Sequence, residues 1–250
     1  MGGLVAQPAS ERRQERVNPG EIVLQFTANE KALSEAFRQY TYTQEARFQI
    51  LRRDGTAYQE RHIVAEVGFN EEGQRELKTI SDKGGLTFLQ LTQRDLDYVL
   101  DLDPFELTSD KLDYYRVAYK GQEQVDELDT YVFEVRPRRM DAGQRYFEGR
   151  IWVDQESLYV VKTKGKPVFP EAGDEKFPEY ETLRQQIDGH WFPVWSRANQ
   201  ILFFTANSVH LNVLTTREDF QKHEPEAPSG EDETKRTAPQ PNQEPPPNRR

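Results

Sequence analysis

Cysteine is absent from the 250 residues of this chain. Its absence excludes disulfide bonds, thiolate metal sites, a cysteine nucleophile and a lipid-modified cysteine anchor. The redox compartment stays open, because a protein without thiols is indifferent to it. Long apolar runs are also missing, and none approaches the roughly 20 residues of a membrane-spanning helix. The segment Met1–Ala6 is too short and uncharged for a signal peptide, which indicates a cytoplasmic protein or a trimmed start.

Positive charge is outnumbered by negative charge. The chain has 33 lysines and arginines against 43 aspartates and glutamates, a net charge of −10 and a pI near 5.1. Phosphate binding needs clustered basic residues, so we expect no nucleic-acid partner. The same excess of acid argues against docking on an anionic membrane surface. We interpret the acidic surface as a device for solubility.

Motifs for catalysis and metal binding are missing as well. The sequence has no Gly-x-Ser-x-Gly elbow and no Gly-rich phosphate loop. The aspartates between 95 and 103 follow a helical pattern ended by Pro104, which favours a solvated helix face over a calcium loop. The four histidines are scattered, without a pair four residues apart: His62, His190, His210 and His223. We therefore expect no metal and no cofactor.

Helical periodicity is present near the start of the chain. Asn18 and Pro19 are typical of a helix N-terminus, and apolar residues then recur at intervals of three, four and seven. This pattern predicts a helix over 19–39, and Asn29 leaves open a split into two shorter helices. A second helical pattern covers 93–105.

From Thr41 onward the hydrophobic period changes to two, which indicates strands. Hairpin-length turns recur between them, at Asp54-Gly55, 120–122, 154–156 and Asp188-Gly189. We count about a dozen strands, with no parallel βαβ pattern. The ends of the chain are polar, so we expect disorder over 1–17, one domain over 18–222 and a disordered Pro-rich tail over 223–250.

An antiparallel sheet of this width must twist, curl or close. We therefore predict a mainly β (α+β) fold: a strongly curved antiparallel sheet, an unclosed half-barrel of about eleven strands, with the helices on its concave side. Such a half-open barrel tends to leave a cavity lined by apolar side chains.

Several short motifs resemble a known family. They are Tyr-Thr-Tyr at 40–42, Gly-x-Ile-Trp-Val-Asp at 149–154, Phe-Pro at 177–178 and Asp-Gly-His-Trp-Phe-Pro at 188–193. Their order resembles the lipoprotein-sorting proteins of the LolA/LolB-like superfamily, over roughly residues 20 to 221. The resemblance implies an unclosed barrel of about eleven strands with helices as a lid, which holds lipoprotein acyl chains in the periplasm of the bacterial cell envelope. The same fold also serves envelope-stress sensors.

The apolar residues of the helix and strands supply the candidates for a ligand cavity. They are Phe26, Phe37, Phe48, Ile50, Trp152, Val160, Trp191, Trp195 and Phe203. Alternatively, the tryptophans are core or rim aromatics that fix strand register. The helix stripe that contains Phe26 and Phe37 is consistent with a movable lid and with a permanently packed helix. Which face of the sheet is concave does not follow from alternation alone.

The resemblance favours a non-enzymatic carrier or sensor of an acylated lipoprotein or another amphiphile, with an envelope protein as a further partner. Burial of an acyl chain contributes about 0.8 kcal/mol per methylene, so binding needs little polar specificity. One alternative is an envelope hydrolase that acts on a glycan or lipid through Glu148 and Asp154. Another is an interaction protein tethered by the Pro-rich tail. The one compact basic patch, Arg136, Arg138 and Arg139, is either an exposed strand end or a contact for an anionic headgroup.

Overall fold

The computed structural model describes residues 17–70, 74–87, 107–170, 178–203 and 208–222. A short 3-10 helix, Leu112–Tyr114, precedes the fourth strand. The other elements, in chain order, are α1 (Pro19–Phe37), β1 (Tyr40–Leu51), β2 (Ala57–Phe69), β3 (Arg75–Gly84), β4 (Tyr115–Val125), β5 (Leu128–Pro137), β6 (Tyr146–Asp154), β7 (Val160–Val168), β8 (Tyr180–Ile187), β9 (His190–Phe203) and β10 (Ser208–Lys222).

All ten strands of the described residues form one antiparallel sheet in the order β3-β2-β1-β10-β9-β8-β7-β6-β5-β4. β3 and β4 lie at its two ends and do not pair with each other, so the sheet is not closed. The predicted fold class, a mainly β unclosed half-barrel, is confirmed. The described residues form ten strands, where the sequence predicted about eleven. The second predicted helix, 93–105, and the polar ends 1–16 and 223–250 lie outside the described residues.

Successive turns of an antiparallel sheet fall on opposite rims, because neighbouring strands run in opposite directions. The β1–β2 turn (52–56) and the β5–β6 turn (138–145) therefore share one rim with the end of β9 at Phe203. We call this rim 1. The β4–β5 turn (126–127), the β6–β7 turn (155–159) and the β8–β9 turn (188–189) share the opposite rim, which we call rim 2.

Helix α1 lies across one face of the sheet, which we call the inner face. Near its start, Phe26 packs against Phe133 of β5 with ring centroids 5.6 Å apart. Near its end, Phe37 contacts Phe192 of β9 at 5.2 Å and Tyr42 of β1 at 5.2 Å. The apolar stripe predicted for this helix therefore faces the sheet. Because α1 contacts both β5 and β1, it crosses the middle of the sheet.

The helix is continuous through Asn29, so the possible split does not occur. The Asn29 amide instead donates a hydrogen bond of 2.8 Å to the carbonyl oxygen of Leu158 in the β6–β7 turn. Leu158 has a φ of +55°, a conformation that leucine rarely adopts. The polar residue that lowers helix propensity thus fastens α1 to an otherwise strained turn.

Two predicted turns behave differently. Asp188 and Gly189 have φ values of 50° and 82° and form the β8–β9 hairpin, as expected. The turn expected at 120–122 is wrong, because β4 continues to Val125 and turns at 126–127. Gly121, with a φ of +127°, instead belongs to a β-bulge where the pairing with β5 shifts. An isolated glycine in a strand pattern marks a bulge as readily as a turn.

Candidate functional site

The inner face carries three apolar clusters. Cluster 1 joins Ile22 and Phe26 of α1 to buried residues of β4–β7, among them Phe133, Ile151 and Val160. Cluster 2 joins Leu33 and Phe37 of α1 to Tyr40, Phe192 and Phe220. Cluster 3 lies on β1, β2, β9 and β10 and includes Phe48, Ile50, Ala198 and Val213, with Leu86 packed against it. Side chains of α1 thus belong to the first two clusters.

A buried ion pair holds the middle of α1 to the sheet. The Arg184 guanidinium of β8 donates two hydrogen bonds to the Glu30 carboxylate, of 2.6 and 3.0 Å. The two side chains are 0% and 2% exposed. Removal of two charges from water is costly, and a parallel pair of hydrogen bonds offsets much of that cost while it fixes the geometry. The pair therefore sets the position of α1 more than it adds stability.

Polar side chains form a buried band across the inner face, and Arg184 belongs to it. Thr182, Ser196 and Thr215 are cross-strand neighbours on β8, β9 and β10, and the Thr182 and Ser196 hydroxyls are 3.0 Å apart. Arg217 and Gln44 are paired in register on β10 and β1. We call these six residues the polar band. It lies between cluster 2 and cluster 3, so the inner face has a polar middle flanked by apolar surface.

The residues predicted to line a cavity divide between the two faces. Phe26 and Val160 lie in cluster 1, Phe37 in cluster 2, and Phe48 and Ile50 in cluster 3. These five share the inner face. The structure does not bring them into one enclosed space, since the polar band separates the last two from Phe37. Their contact with a ligand stays a prediction.

The other four lie on the outer face. Trp152 and Trp191 group with Val132 and Val161 in a separate apolar cluster. Trp195 pairs with Leu183, which pairs with Lys162, which pairs with Trp152, and cross-strand partners point to the same face. Phe203, at the end of β9, is 76% exposed. Trp191 and Trp195 share a face, as alternation along β9 predicts, but alternation alone did not reveal that this is the outer face of the sheet.

The outer face holds a cavity of about 540 Å³ above β5–β8. Trp152 lines this cavity. Its indole N–H donates a hydrogen bond of 2.8 Å to the Glu123 carboxylate, and the Lys162 ammonium lies 5.1 Å from the centre of the indole ring. Its other walls are charged side chains of both signs, such as the Lys162–Glu181 pair at 2.6 Å. Most of this charge is satisfied within the sheet. A second cavity lies beside it over β7–β9, lined by Lys164, Glu181 and Arg197, and a third lies near the start of β4 and β6, lined by Tyr115 and Tyr146.

The carboxylates considered for a hydrolase do not form a pair. Glu148 and Asp154 lie six residues apart on β6, a separation of about 20 Å along a strand. Paired glycosidase carboxylates lie within about 10 Å of each other. The Asp154 carboxylate accepts hydrogen bonds from the Ser157 amide at 2.8 Å and hydroxyl at 2.6 Å, which shapes the β6–β7 turn. The Asp154 carboxylate therefore stabilises the turn and is not paired with Glu148.

The three described histidines lie apart and have different neighbours. His62 lies 2.7 Å from Glu45, His210 lies 2.6 Å from the Asn199 side chain, and His190 stacks on Phe192. Across the described ranges, no three histidine, aspartate or glutamate side chains are placed to hold a metal ion. Nor does any described helix have the length and apolar character needed to cross a membrane.

An antiparallel half-barrel with one helix across its inner face is the class of protein that this geometry defines. No family model matches the chain, and no curated protein matches its sequence. Three solved structures are similar to it: a DUF1329 family protein from Desulfovibrio piger, a domain described as outer membrane lipoprotein-sorting from Vibrio parahaemolyticus, and a LolA superfamily protein from Nitrosomonas europaea.

The alignments cover most of each chain, but the sequence identity and the TM-scores are low. The Desulfovibrio protein is 14% identical over 82% of this chain and 94% of its own, with a TM-score of 0.43. The Vibrio domain is 13% identical, covering 80% and 91%, with a TM-score of 0.39. The Nitrosomonas protein is 12% identical, covering 83% and 94%, with a TM-score of 0.35. Two of the names are those of the group that the sequence motifs resemble. At such values the likeness carries no inference about ligand or partner.

Proposed function

We propose that this protein is a non-enzymatic periplasmic carrier or sensor that holds the acyl chains of a lipoprotein, or of another amphiphile, on its inner face beneath α1. The observation that carries the proposal is the way α1 is held. Two apolar clusters, one ion pair and the Asn29–Leu158 hydrogen bond fasten the helix, so a small displacement frees the apolar surface of clusters 1 and 2 beside the polar band. The periplasmic location and the acyl ligand rest on the sequence motifs.

The arrangement of the inner face suits an amphiphile. Clusters 1 and 2 offer aliphatic and aromatic surface beneath α1 for a hydrocarbon tail, and the polar band offers hydroxyls and guanidinium groups to a polar head. Burial of a tail contributes about 0.8 kcal/mol per methylene, so a dozen methylenes give roughly 10 kcal/mol before costs. That gain is set against a few kcal/mol for opening the buried ion pair and against the burial that α1 side chains such as Phe26 give up. Ligand binding therefore favours a small displacement of α1 over its release from the sheet.

A hydrolase is less well supported, because the carboxylates proposed for it are held apart on one strand. A carrier would need a partner protein that triggers release of the ligand. A sensor would need a partner protein that binds only the ligand-bound or only the ligand-free form. Either role requires α1 to move.

A reversible cross-link between α1 and the sheet tests this requirement. The chain has no cysteine, so the double variant Asn29→Cys/Ser157→Cys, at neighbouring accessible positions of α1 and the β6–β7 turn, can be bridged specifically by a short disulfide-containing bis-maleimide. We expect the bridged protein to lose most of its binding to a fluorescent fatty acid, and reduction of the linker to restore it. Native mass spectrometry of gently purified protein should show a co-purifying lipid before cross-linking.

The matched control is Gln49→Cys/Glu60→Cys, a cross-strand pair that the same linker can bridge without restraining α1. This variant should bind the probe equally well before and after cross-linking. Undiminished binding with α1 bridged would overturn the role of α1. Absence of both probe binding and co-purifying lipid in the unmodified protein would overturn the carrier itself.

A further inference from the structure

Four buried hydroxyl side chains form one row across the inner face. Thr163 of β7 pairs with Thr182 of β8. Ser196 of β9 pairs with Thr182 on one side and with Thr215 of β10 on the other. Cross-strand partners point to the same face of a sheet, so the four hydroxyls follow one another at intervals of about 4.8 Å. Each residue is at most 1% exposed, and we call the four the hydroxyl row.

The two ends of the hydroxyl row are open. The Thr182 and Ser196 hydroxyls in its middle are 3.0 Å apart and bond to each other. Among the described residues, none forms a hydrogen bond with the Thr163 or Thr215 hydroxyl, although both residues are buried. A buried hydroxyl without a partner destabilises a fold, and nearly all buried polar groups are paired. Two such hydroxyls at the ends of one row are the arrangement expected where a ligand supplies the missing partners.

The surroundings of the row favour an uncharged ligand group. Ala198 and Val213 of cluster 3 form the next row on its rim 1 side. On its rim 2 side, the Arg184 guanidinium is bonded to the Glu30 carboxylate. A charged group brought here from water would lose its hydration, at a cost that hydroxyl groups alone do not offset. A neutral group with several oxygens is buried at a much lower cost.

The length of the row fits a short head group. Three strand spacings separate Thr163 from Thr215, a distance of roughly 14 Å. Hydrogen bonds of about 2.9 Å at both ends leave roughly 8 Å between the ligand oxygens that reach them. The ester carbonyl and the last hydroxyl of an extended monoacylglycerol are separated by close to that length. Beyond Thr163 the row continues into Ile151 of cluster 1, so the acyl tail has a place beneath α1.

From these observations we infer that the hydroxyl row binds the neutral head of a monoacylglycerol, and that the inner face selects this lipid over a fatty acid anion with the same tail. The Thr163 hydroxyl donates to the ester carbonyl, and the glycerol hydroxyls bond to Thr215 and to the middle of the row. Because the row lies in the middle of the face, the whole head is enclosed, which favours a free lipid over one joined to a polypeptide. The inference rests on the proposed function, since a lipid reaches the covered row only when α1 moves.

Displacement of a fluorescent fatty acid measures this selection. Monolauroylglycerol and laurate carry the same acyl tail, and at about pH 8 only laurate is charged. We expect the unmodified protein to bind monolauroylglycerol about 25-fold more tightly, at about fivefold for each open hydroxyl that gains a partner. Thr163→Val/Thr215→Val removes both open hydroxyls at nearly constant shape. This variant should lose the preference while its affinity for laurate stays nearly unchanged.

The melting temperature of the same variant separates a ligand contact from a structural role. An unpartnered buried hydroxyl destabilises the fold, so its removal should raise the melting temperature by about 2–4 °C for each threonine. Thr216→Val is the matched control, because Thr216 follows Thr215 in the chain but pairs with Trp195 on the outer face. The control should change neither the lipid preference nor the melting temperature.

Several outcomes would overturn the inference. Tighter binding of laurate would mean that Arg217, two residues after Thr215, holds an anionic head instead. A valine variant that keeps the preference would remove the hydroxyls from the contact, and one with a lower melting temperature would show that water already satisfies them. Equal binding of the two lipids overturns this inference alone. Failure of the unmodified protein to bind either lipid overturns the proposed function as well.

Discussion

The Tyr40 hydroxyl at the start of β1 donates a hydrogen bond of 2.9 Å to the Asp188 carboxylate in the β8–β9 turn. The two residues are 148 positions apart in the chain. Tyr40 is 1% exposed, and its ring contacts Phe192 at 4.9 Å. The bond ties the entry to the first strand to a hairpin on rim 2.

This bond predicts a stability change at alkaline pH. Burial of Tyr40, followed by its hydrogen bond to Asp188 and the negative charge there, raises the pKa of the Tyr40 hydroxyl above its ordinary value of 10.0. A raised pKa in the folded state gives stability that is present below pH 10 and lost as the pH rises through the folded-state pKa. Tyr40→Phe should cost about 1–2 kcal/mol at neutral pH. The difference from the parent should narrow above pH 10.

Urea unfolding at several pH values measures this. Tyr58→Phe, at a residue 48% exposed, is the control and should leave the free energy of unfolding unchanged at neutral pH. A constant gap between parent and Tyr40→Phe up to pH 11 would show that the hydroxyl does not titrate as argued.

The Glu30–Arg184 pair predicts strong coupling between two substitutions. Arg184→Met alone leaves a buried carboxylate without its partner and should lower the free energy of unfolding by about 3–5 kcal/mol. Glu30→Leu/Arg184→Met removes both charges and should recover most of that loss. Chemical denaturation of the two variants measures the coupling. Lys78→Met, which breaks the exposed Lys78–Glu66 pair, should cost at most about 1 kcal/mol. A double variant as unstable as Arg184→Met would contradict the argument.

Gly149 and Gly165 are cross-strand partners that lie under the Phe147 ring. A Cβ atom at Gly149 would come within 2.3 Å of the Lys164 carbonyl oxygen and 2.5 Å of the Gly165 Cα. Backbone atoms cannot move aside cheaply, so Gly149→Ala should destabilise the protein by about 3 kcal/mol or more. Gly85→Ala, at a position with nothing within 4 Å, should change the melting temperature little. Equal melting temperatures for the two variants would refute the close approach of β6 and β7.

Helix α1 predicts a contrast between its two faces. Phe26 is 0% exposed and packs in cluster 1, so Phe26→Ala should lower the free energy of unfolding by about 3–5 kcal/mol. Leu24, two residues earlier, is 65% exposed, and Leu24→Ala should stay within about 0.5 kcal/mol. Calorimetry compares the two directly. Similar losses at both positions would mean that α1 is covered on its outer side.

Local signals account for the parts of the fold that were predicted correctly. Pro19 near the helix start and Asp188-Gly189 in a turn act through the backbone conformation of a few neighbouring residues, which is why sequence reveals them. The inner apolar stripe of α1 followed from its spacing. The turn expected at 120–122 failed because a glycine in a strand serves equally well in a bulge.

The candidate site was predicted only in part. Five of the nine cavity candidates share the inner face, among them Phe26 and Phe48, because they lie on well-spaced helical or strand positions. Trp152 and Trp195 were grouped with them on residue type, although both lie on the outer face, which alternation along a strand cannot distinguish from the inner one. The polar band had no sequence signal, since Thr182, Ser196 and Thr215 become neighbours only through pairing.

The sequence by itself determined the antiparallel strands, the start of α1 and the absence of thiol chemistry, because each depends on residues that are close in the chain or on composition. Only the tertiary structure decided that β1 pairs with β10 and that Glu30 meets Arg184 across 154 positions. The physical reason is chain closure. Contacts between distant segments form when the whole sheet buries its inner face at once, and no local pattern records which strand will be the neighbour.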